Sequence, residues 1–316
     1  QVPFFLTAMT YSLLRLLARQ RFDVIHAHWL LPQGWVGLIG AGIFNIPLIV
    51  TAHGTDAFAL RGRFANHLKR RILIGAAAWT ANTAATAAAV TRDARLPAPR
   101  IIPMGVDLVL FSSGKRTALR GEIHDGEHVV LFVGRLIENK GCQDLIEAVS
   151  HLSPKAQSQT SLWIVGVGDQ QTQLERSAHK FGVAARVKFV GAVEQQRLPE
   201  FYAAADVVVV PSKLGSAGAT EGQSVVVLEA FAARACVLAT RIGGIPSMVH
   251  DQLTGMLVEP GNPRSLSEAL ELLMTNPDLR RQLSENAFAE IDQYSWQRIA
   301  GEFHRLYDET VNSAPR

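Results

Sequence analysis

Two glutamates, Glu221 and Glu229, stand eight positions apart in "EGQSVVVLE", with Gly222, Gln223 and Ser224 between the first glutamate and a run of valines. One carboxylate can hold a sugar hydroxyl and another can accept hydrogen bonds from a vicinal diol such as a ribose. Free backbone N–H groups at the start of a helix attract anions, and serine is favoured at a helix N-cap. The segment therefore reads as a loop carrying Glu221 that opens, at Ser224, a helix with Glu229 about a turn and a half in. Taken alone, the same letters also describe a capped core helix with two solvated glutamates, so the surrounding motifs have to decide.

Arg135 and Lys140 in "VGRLIENKG" place two cations between an apolar run and a helix. Such a pair suits a diphosphate that must be neutralised, although solvated loop charges read equally well in isolation. His26 and His28 alternate in "HAHW", and His53 precedes Gly54 in "TAHGTD". Two histidines two apart could start a metal site, but no third ligand of settled spacing follows, and a partnered histidine is the commoner case. His53 is the better candidate, because it ends an apolar run with a flexible turn behind it. Asp107 in "PMGVDLVLF" reads as a turn aspartate. "GVGDQ" lacks the third glycine of a dinucleotide fingerprint, and "RIGGIP" is most simply a glycine turn before a helix.

The elements that must hold these residues come from hydrophobic patterning. The chain has 316 residues, 48% apolar and 19% charged, with a net charge of +3, which indicates a globular α/β protein too long for one core and gives no indication of nucleic-acid binding. Cys142 and Cys236 are isolated, which gives no disulfide framework or zinc site and fits a reducing compartment. The most apolar stretch, "GWVGLIGAGIFNIPLIV", contains Asn45 and Pro47 and falls short of the roughly twenty clean residues of a membrane span. The opening "QVPFFLTAMTYSLLRLLARQRF" reads as an amphipathic helix.

Valine- and isoleucine-rich runs then alternate with segments of helical period, the signature of βαβ units. Four runs, "FDVIHAHW", "PLIVTAHG", "AAAWTANT" and "RIIPMG", precede an aperiodic linker candidate, "VDLVLFSSGKRTALRGEIHDGEH". Helices are expected over residues 33–44, 63–75 and 84–91. Six further runs follow: "HVVLFVGR", "SLWIVGVGD", "RVKFVGAV", "ADVVVVPS", "CVLATRI" and "TGMLVEP". Their near-continuous apolar character fits parallel sheets covered on both faces, whose ligands sit beyond the strands' carboxyl ends. Arg135, Lys140, Glu221 and His53 all fall in loops after such runs.

In combination, "TAHGTD", "PMGVDLVLF", "VGRLIENKG", "FVGAV", "EGQSVVVLEAFA", "GGIPSMV" and "TGMLVEPGNPRSLSEAL" resemble the retaining GT-B glycosyltransferases of family 4, in the family's order from Phe22 to about Leu270. The resemblance implies two Rossmann-like domains facing across a cleft. Residues 1–112 would form the acceptor-side domain, 113–294 the nucleotide-sugar domain, and 295–316 a helix crossing back. It implies that Arg135 and Lys140 bind the donor diphosphate, Glu229 the ribose and Glu221 the donor sugar. The backbone of Gly222, Gln223 and Ser224 would support sugar and phosphate, Val193 would lie beside the base, and His53 would face the donor sugar. No metal or other cofactor is implied; the implied substrate is a UDP-, GDP- or ADP-sugar. In the mechanism the resemblance implies, the acceptor hydroxyl, on a glycan or a lipid-linked molecule, would attack from the face the diphosphate leaves, and a phosphate oxygen would take its proton. A covalent role for Glu221, as in retaining glycosidases, is the lesser alternative.

Two departures from the family pattern stand out. The strand and glycine-rich loop that open family members do not precede "FDVIHAHW", so the N-terminal domain is expected to be incomplete. "EGQS" also differs from the "FG" or "GFP" turn usual after the first glutamate. A non-catalytic nucleotide-sugar binder and a same-fold epimerase or phosphorylase therefore stay open beside the transferase. The expected location is cytoplasmic; the basic segment "RGRFANHLKRR", the first helix and the pI suggest an acceptor at the inner face of a membrane, although a solvated basic helix is the commoner reading of that segment.

Overall fold

The computed structural model describes residues 2–58, 62–91, 96–115, 117–121, 127–216, 218 and 220–313. Parts of the linker candidate and of the loop "KLGSAGAT" lie outside them. The chain divides into two compact units, residues 1–104 with 297–316 and residues 105–296.

The first unit holds four parallel strands in the order β1 (Ile25–His28), β2 (Leu48–Ala52), β3 (Ala78–Ala81) and β4 (Arg100–Ile101). Every residue of β2 is buried, and its side chains alternate between two cores. Leu48, Val50 and Ala52 pack with Leu30, Ile72, Leu73 and Trp79. Ile49 meets Ile102 and the last helix, Trp296–Ser313, through Ile299 and Leu306. Burying such an aliphatic side chain contributes about 2 kcal/mol. The β1–β2 register sets His26 beside Ile49 and His28 beside Thr51, so the period of two puts both histidines on the face that the last helix covers. Helices at Arg63–Gly75 and Ala84–Thr91 form as their patterns predict. The helix expected from Gln33 begins instead at Trp35, after a π-type turn, Leu30–Gly34. Leu31 is extended there (φ −132°, ψ 134°), since a residue before proline is pushed out of the helical region.

The second unit has six parallel strands: β5 (His128–Val133), β6 (Thr160–Val165), β7 (Val187–Gly191), β8 (Val207–Val210), β9 (Cys236–Thr240) and β10 (Met256–Val258). They lie in the order β10-β9-β8-β5-β6-β7, the doubly wound Rossmann arrangement, whose strand order reverses between its first and fourth strands. Burial on both faces explains the unbroken valines. Val208 and Val210 enter one core with Tyr202, Leu228 and Phe231, while Val207 and Val209 enter the other with Leu145, Ile146 and Leu270.

Residues 105–112, assigned from sequence to the N-terminal domain, pack in this second unit. Val106 and Phe111 are buried in its core, and the Val106 N–H donates to the Tyr294 carbonyl at 2.8 Å. Asp107 caps the short helix Leu108–Phe111 by accepting from the Leu110 N–H at 2.9 Å. The segment looked aperiodic because it consists of a cap and a single helical turn. Among the described residues, no helix is long and apolar enough to cross a membrane.

Candidate active site

The register Val130↔Val207 and Leu131↔Val208 sets the carboxyl ends of β5 and β8 side by side at the switch point of the second unit, where ligands of such sheets bind. The loop after β5 carries Arg135 and, in a 3₁₀ turn Glu138–Lys140, Lys140. The loop after β8 carries Ser212, Lys213 and Glu221. The two loops are tied together. Lys213 N–H donates to the Asn139 carbonyl at 2.9 Å, Ser216 donates through N–H and hydroxyl to Glu138 Oε2 at 3.1 and 2.7 Å, and Lys213 Nζ reaches Asp144 Oδ1 at 2.6 Å. Gly141 sits at φ +69°, and a Cβ there would lie 1.8 Å from the Pro211 carbonyl oxygen. Only glycine lets the backbones approach this closely.

Glu221 is buried, with 7% of its surface exposed. Lys140 Nζ donates to both of its oxygens, at 3.0 and 2.7 Å, and Ser212 Oγ donates at 3.2 Å. A buried carboxylate needs such partners. From behind, the Gly244 N–H donates to the Glu221 carbonyl at 3.1 Å, and a Cβ on Gly243 (φ +57°) would sit 1.9 Å from that oxygen. The glycine turn read as a simple connector in "RIGGIP" therefore backs Glu221. Arg135 is exposed and forms no ion pair among the described residues.

Ser224 occupies the N-cap position of the helix Val225–Ala232 in extended conformation, but its side chain makes no capping bond, which corrects the capping role read from sequence. Val227, Leu228, Ala230, Phe231 and Ala232 are buried, while Val225, Val226 and Glu229 are half-buried. Glu229 Oε2 accepts from the Tyr202 hydroxyl at 2.5 Å. Burial pushes the Glu229 carboxyl up to about 6, against the opposing effect of that hydrogen bond. Burial, with Glu229 beside it, raises Tyr202 well above its ordinary value. Val193 lies after β7, where it lines a pocket of about 540 Å³ with Trp163, Lys188, Arg197 and Phe201.

In the first unit, His53 follows β2 and packs against His28, the His28 Nδ1 to His53 Nε2 distance being 2.9 Å. Its backbone and that of Gly54 are fixed by Asp56, whose fully buried carboxylate accepts from the amides of His53, Gly54 and Leu30 at 3.0, 3.0 and 2.8 Å. His26 is bound through both ring nitrogens, to Tyr307 and Thr51 at 2.8 and 2.7 Å. Burial and then the neighbouring histidines lower its pKa to about 3. Burial likewise lowers His28, and burial followed by His28 lowers His53, with Asp56 opposing. All three rings are neutral near pH 7. Among the described residues no group of three or more His, Cys, Asp or Glu side chains is arranged to hold a metal. Sequence reasoning missed Tyr202, Ser212, Lys213, Asp144 and Asp56, whose partners are distant or backbone groups that no local spacing reveals.

A doubly wound unit with a lysine–glutamate pair at its switch point, and a second unit built on a parallel sheet, match the structures of GT-B glycosyltransferases. Sucrose-phosphate synthase from Thermosynechococcus elongatus superimposes with a TM-score of 0.84 at 26% identity, covering 97% of this chain and 77% of its own. HepE from Anabaena, solved with UDP, gives 0.83 at 22% identity, covering 96% and 82%. Family models for glycosyl transferases group 1 and glycosyltransferase family 4 match residues 117–290 and 2–110. The D-inositol 3-phosphate glycosyltransferases of Corynebacterium jeikeium and Geodermatophilus obscurus are 31% and 32% identical, over 98% and 97% of this chain and 78% and 71% of their own lengths. The chain belongs to the group 1 glycosyl transferases, family 4.

Proposed function

We propose that the chain moves a hexose from a nucleoside diphosphate to a hydroxyl acceptor, with retention of anomeric configuration and without a divalent metal. The observation that carries this reading is the Lys140–Glu221 pair at the switch point, with Arg135 beside it in sequence. Arg135 and Lys140 neutralise the diphosphate, and the backbone of Gly222, Gln223 and Ser224 supports sugar and phosphate. Protein cations and amides thus meet the charge that grows on the leaving group. Glu221 holds the sugar hydroxyls, Glu229 the ribose, Val193 borders the base, and His53 contacts the donor sugar. The bond from the anomeric carbon to phosphate breaks as the acceptor oxygen bonds on the same face, and the acceptor proton passes to a phosphate oxygen.

UDP in the HepE structure makes UDP-sugars the first donors to try, and the names of the curated relatives make a phosphorylated cyclitol the first acceptor. A glycan or a lipid-linked hydroxyl is the broader class. Helix Arg63–Gly75 carries exposed Arg63, Arg70 and Arg71 beside Phe64, 76% exposed, and Ile74, 55% exposed. That composition supports peripheral binding to anionic lipid, which liposome sedimentation at low and high salt tests. The reaction is tested by incubating the protein with UDP-, GDP- and ADP-hexoses, acceptor and chelator. The expected product keeps the donor's anomeric configuration by proton NMR, and an inverted product or an absolute need for metal contradicts the reading.

A further inference from the structure

Tyr202 lies in the helix Leu198–Ala204, has no exposed surface, and packs edge-on against Phe111 at 5.7 Å. Phenylalanine would fill that space without the cost of burying a phenol. Among the described residues the hydroxyl's hydrogen-bond partner is Glu229 Oε2, which it meets at 2.5 Å. A glutamate has three side-chain torsions to fix before it can aim at a ligand. With Oε2 held, those torsions are set, and Oε1 makes no hydrogen bond to a described residue. The hydrogen bond also favours the ionised carboxylate, which burial disfavours.

We propose that Tyr202 is a positioning residue that acts through Glu229: its phenol orders the carboxylate so that the free oxygen accepts from the donor's ribose, and thereby sets the preference for ribonucleotides over 2′-deoxyribonucleotides. The proposal rests on Glu229 as the ribose ligand. A purely structural role for the hydroxyl would stabilise the core without discriminating between the two sugars.

The test is calorimetric titration of the whole chain at pH 7.5 with UDP, GDP and ADP, and with the 2′-deoxy form of whichever binds best. Wild type, Tyr202→Phe, Glu229→Gln and the double variant are compared, each first shown to melt cooperatively. Loss of a charge-assisted hydrogen bond corresponds to about a tenfold change in affinity. Tyr202→Phe is expected to weaken ribonucleotide binding by about that factor and leave deoxyribonucleotide binding unchanged. In the Glu229→Gln background the same substitution should add nothing, since the two side chains act as one unit. A preserved ribose preference in Tyr202→Phe, with Glu229→Gln losing it, overturns the positioning role alone. Failure of wild type to bind any of the three nucleotides, or a preserved preference in Glu229→Gln, overturns the assignment of Glu229 and the proposal with it.

Discussion

Glu221 has both oxygens on one ammonium group, and Lys140 is only 22% exposed against 8% for its partner. Removing the cation leaves a buried carboxylate with Ser212 alone. Lys140→Ala is therefore expected to cost about 2 kcal/mol in urea unfolding, and the Lys140→Ala, Glu221→Gln double variant less than the single one. If the double variant is the less stable, the pair is not the source of the cost. Glu229 carries a different prediction, through pH. Its folded pKa of about 6 lies above the unfolded value, so its contribution to stability is fully present below about pH 4.5 and is lost as pH rises through 6. Glu229→Gln should accordingly be more stable than wild type at pH 7.5, by at most about 2 kcal/mol and read as a higher melting temperature, and match it near pH 4. Equal melting at both pH values would show that the carboxyl is not raised. That the two glutamates bracket a helix start was legible in the sequence, whereas the roles proposed for them come from the family resemblance. Their partners were not legible, because Tyr202 sits 27 positions from Glu229 and, in "EFYAAA", reads as core.

Loops carry most of the site, with Glu229 supplied by a helix, and glycines permit the loops' contacts. Gly141 and Gly243 both have positive φ and both face a carbonyl oxygen under 2 Å from where a Cβ would sit. Gly141→Ala and Gly243→Ala are each expected to lose more than about 3 kcal/mol of stability, read as a drop in melting temperature. An unchanged midpoint in either would mean that the loops are not locked together as described. The strands and longer helices were predictable, because β8 and β2 feed two cores at once and their short apolar runs are bounded by turn residues and followed by segments of helical period. The loop-to-loop ties were not, since the bonds from Ser216 to Glu138 and from Lys213 to Asp144 join residues about 70 to 80 positions apart. The start of the second unit at Gly105 was hidden for a related reason: its first residues pair with Tyr294.

The two units differ in how they are completed. The sheet of residues 1–104 needs the chain's last helix to cover Ile49 and Ile102, so deleting residues 297–316 should lower the melting of that unit by at least about 4 kcal/mol and leave the other transition in place. Scanning calorimetry that shows both transitions intact would remove the helix from the first unit's core. The second unit holds the Lys140–Glu221 pair and Glu229, the residues proposed to form a nucleoside-diphosphate-sugar site. The most direct test of that site is calorimetric titration of the whole chain with UDP-, GDP- and ADP-sugars, repeated on Lys140→Ala and Glu221→Ala. Wild type is expected to bind at least one donor saturably, with binding weakened about a hundredfold or more in Lys140→Ala through loss of a phosphate contact. In Glu221→Ala the advantage of the sugar nucleotide over the bare diphosphate should disappear. No heat of binding from any donor, or undiminished binding by both variants, would contradict the proposed site.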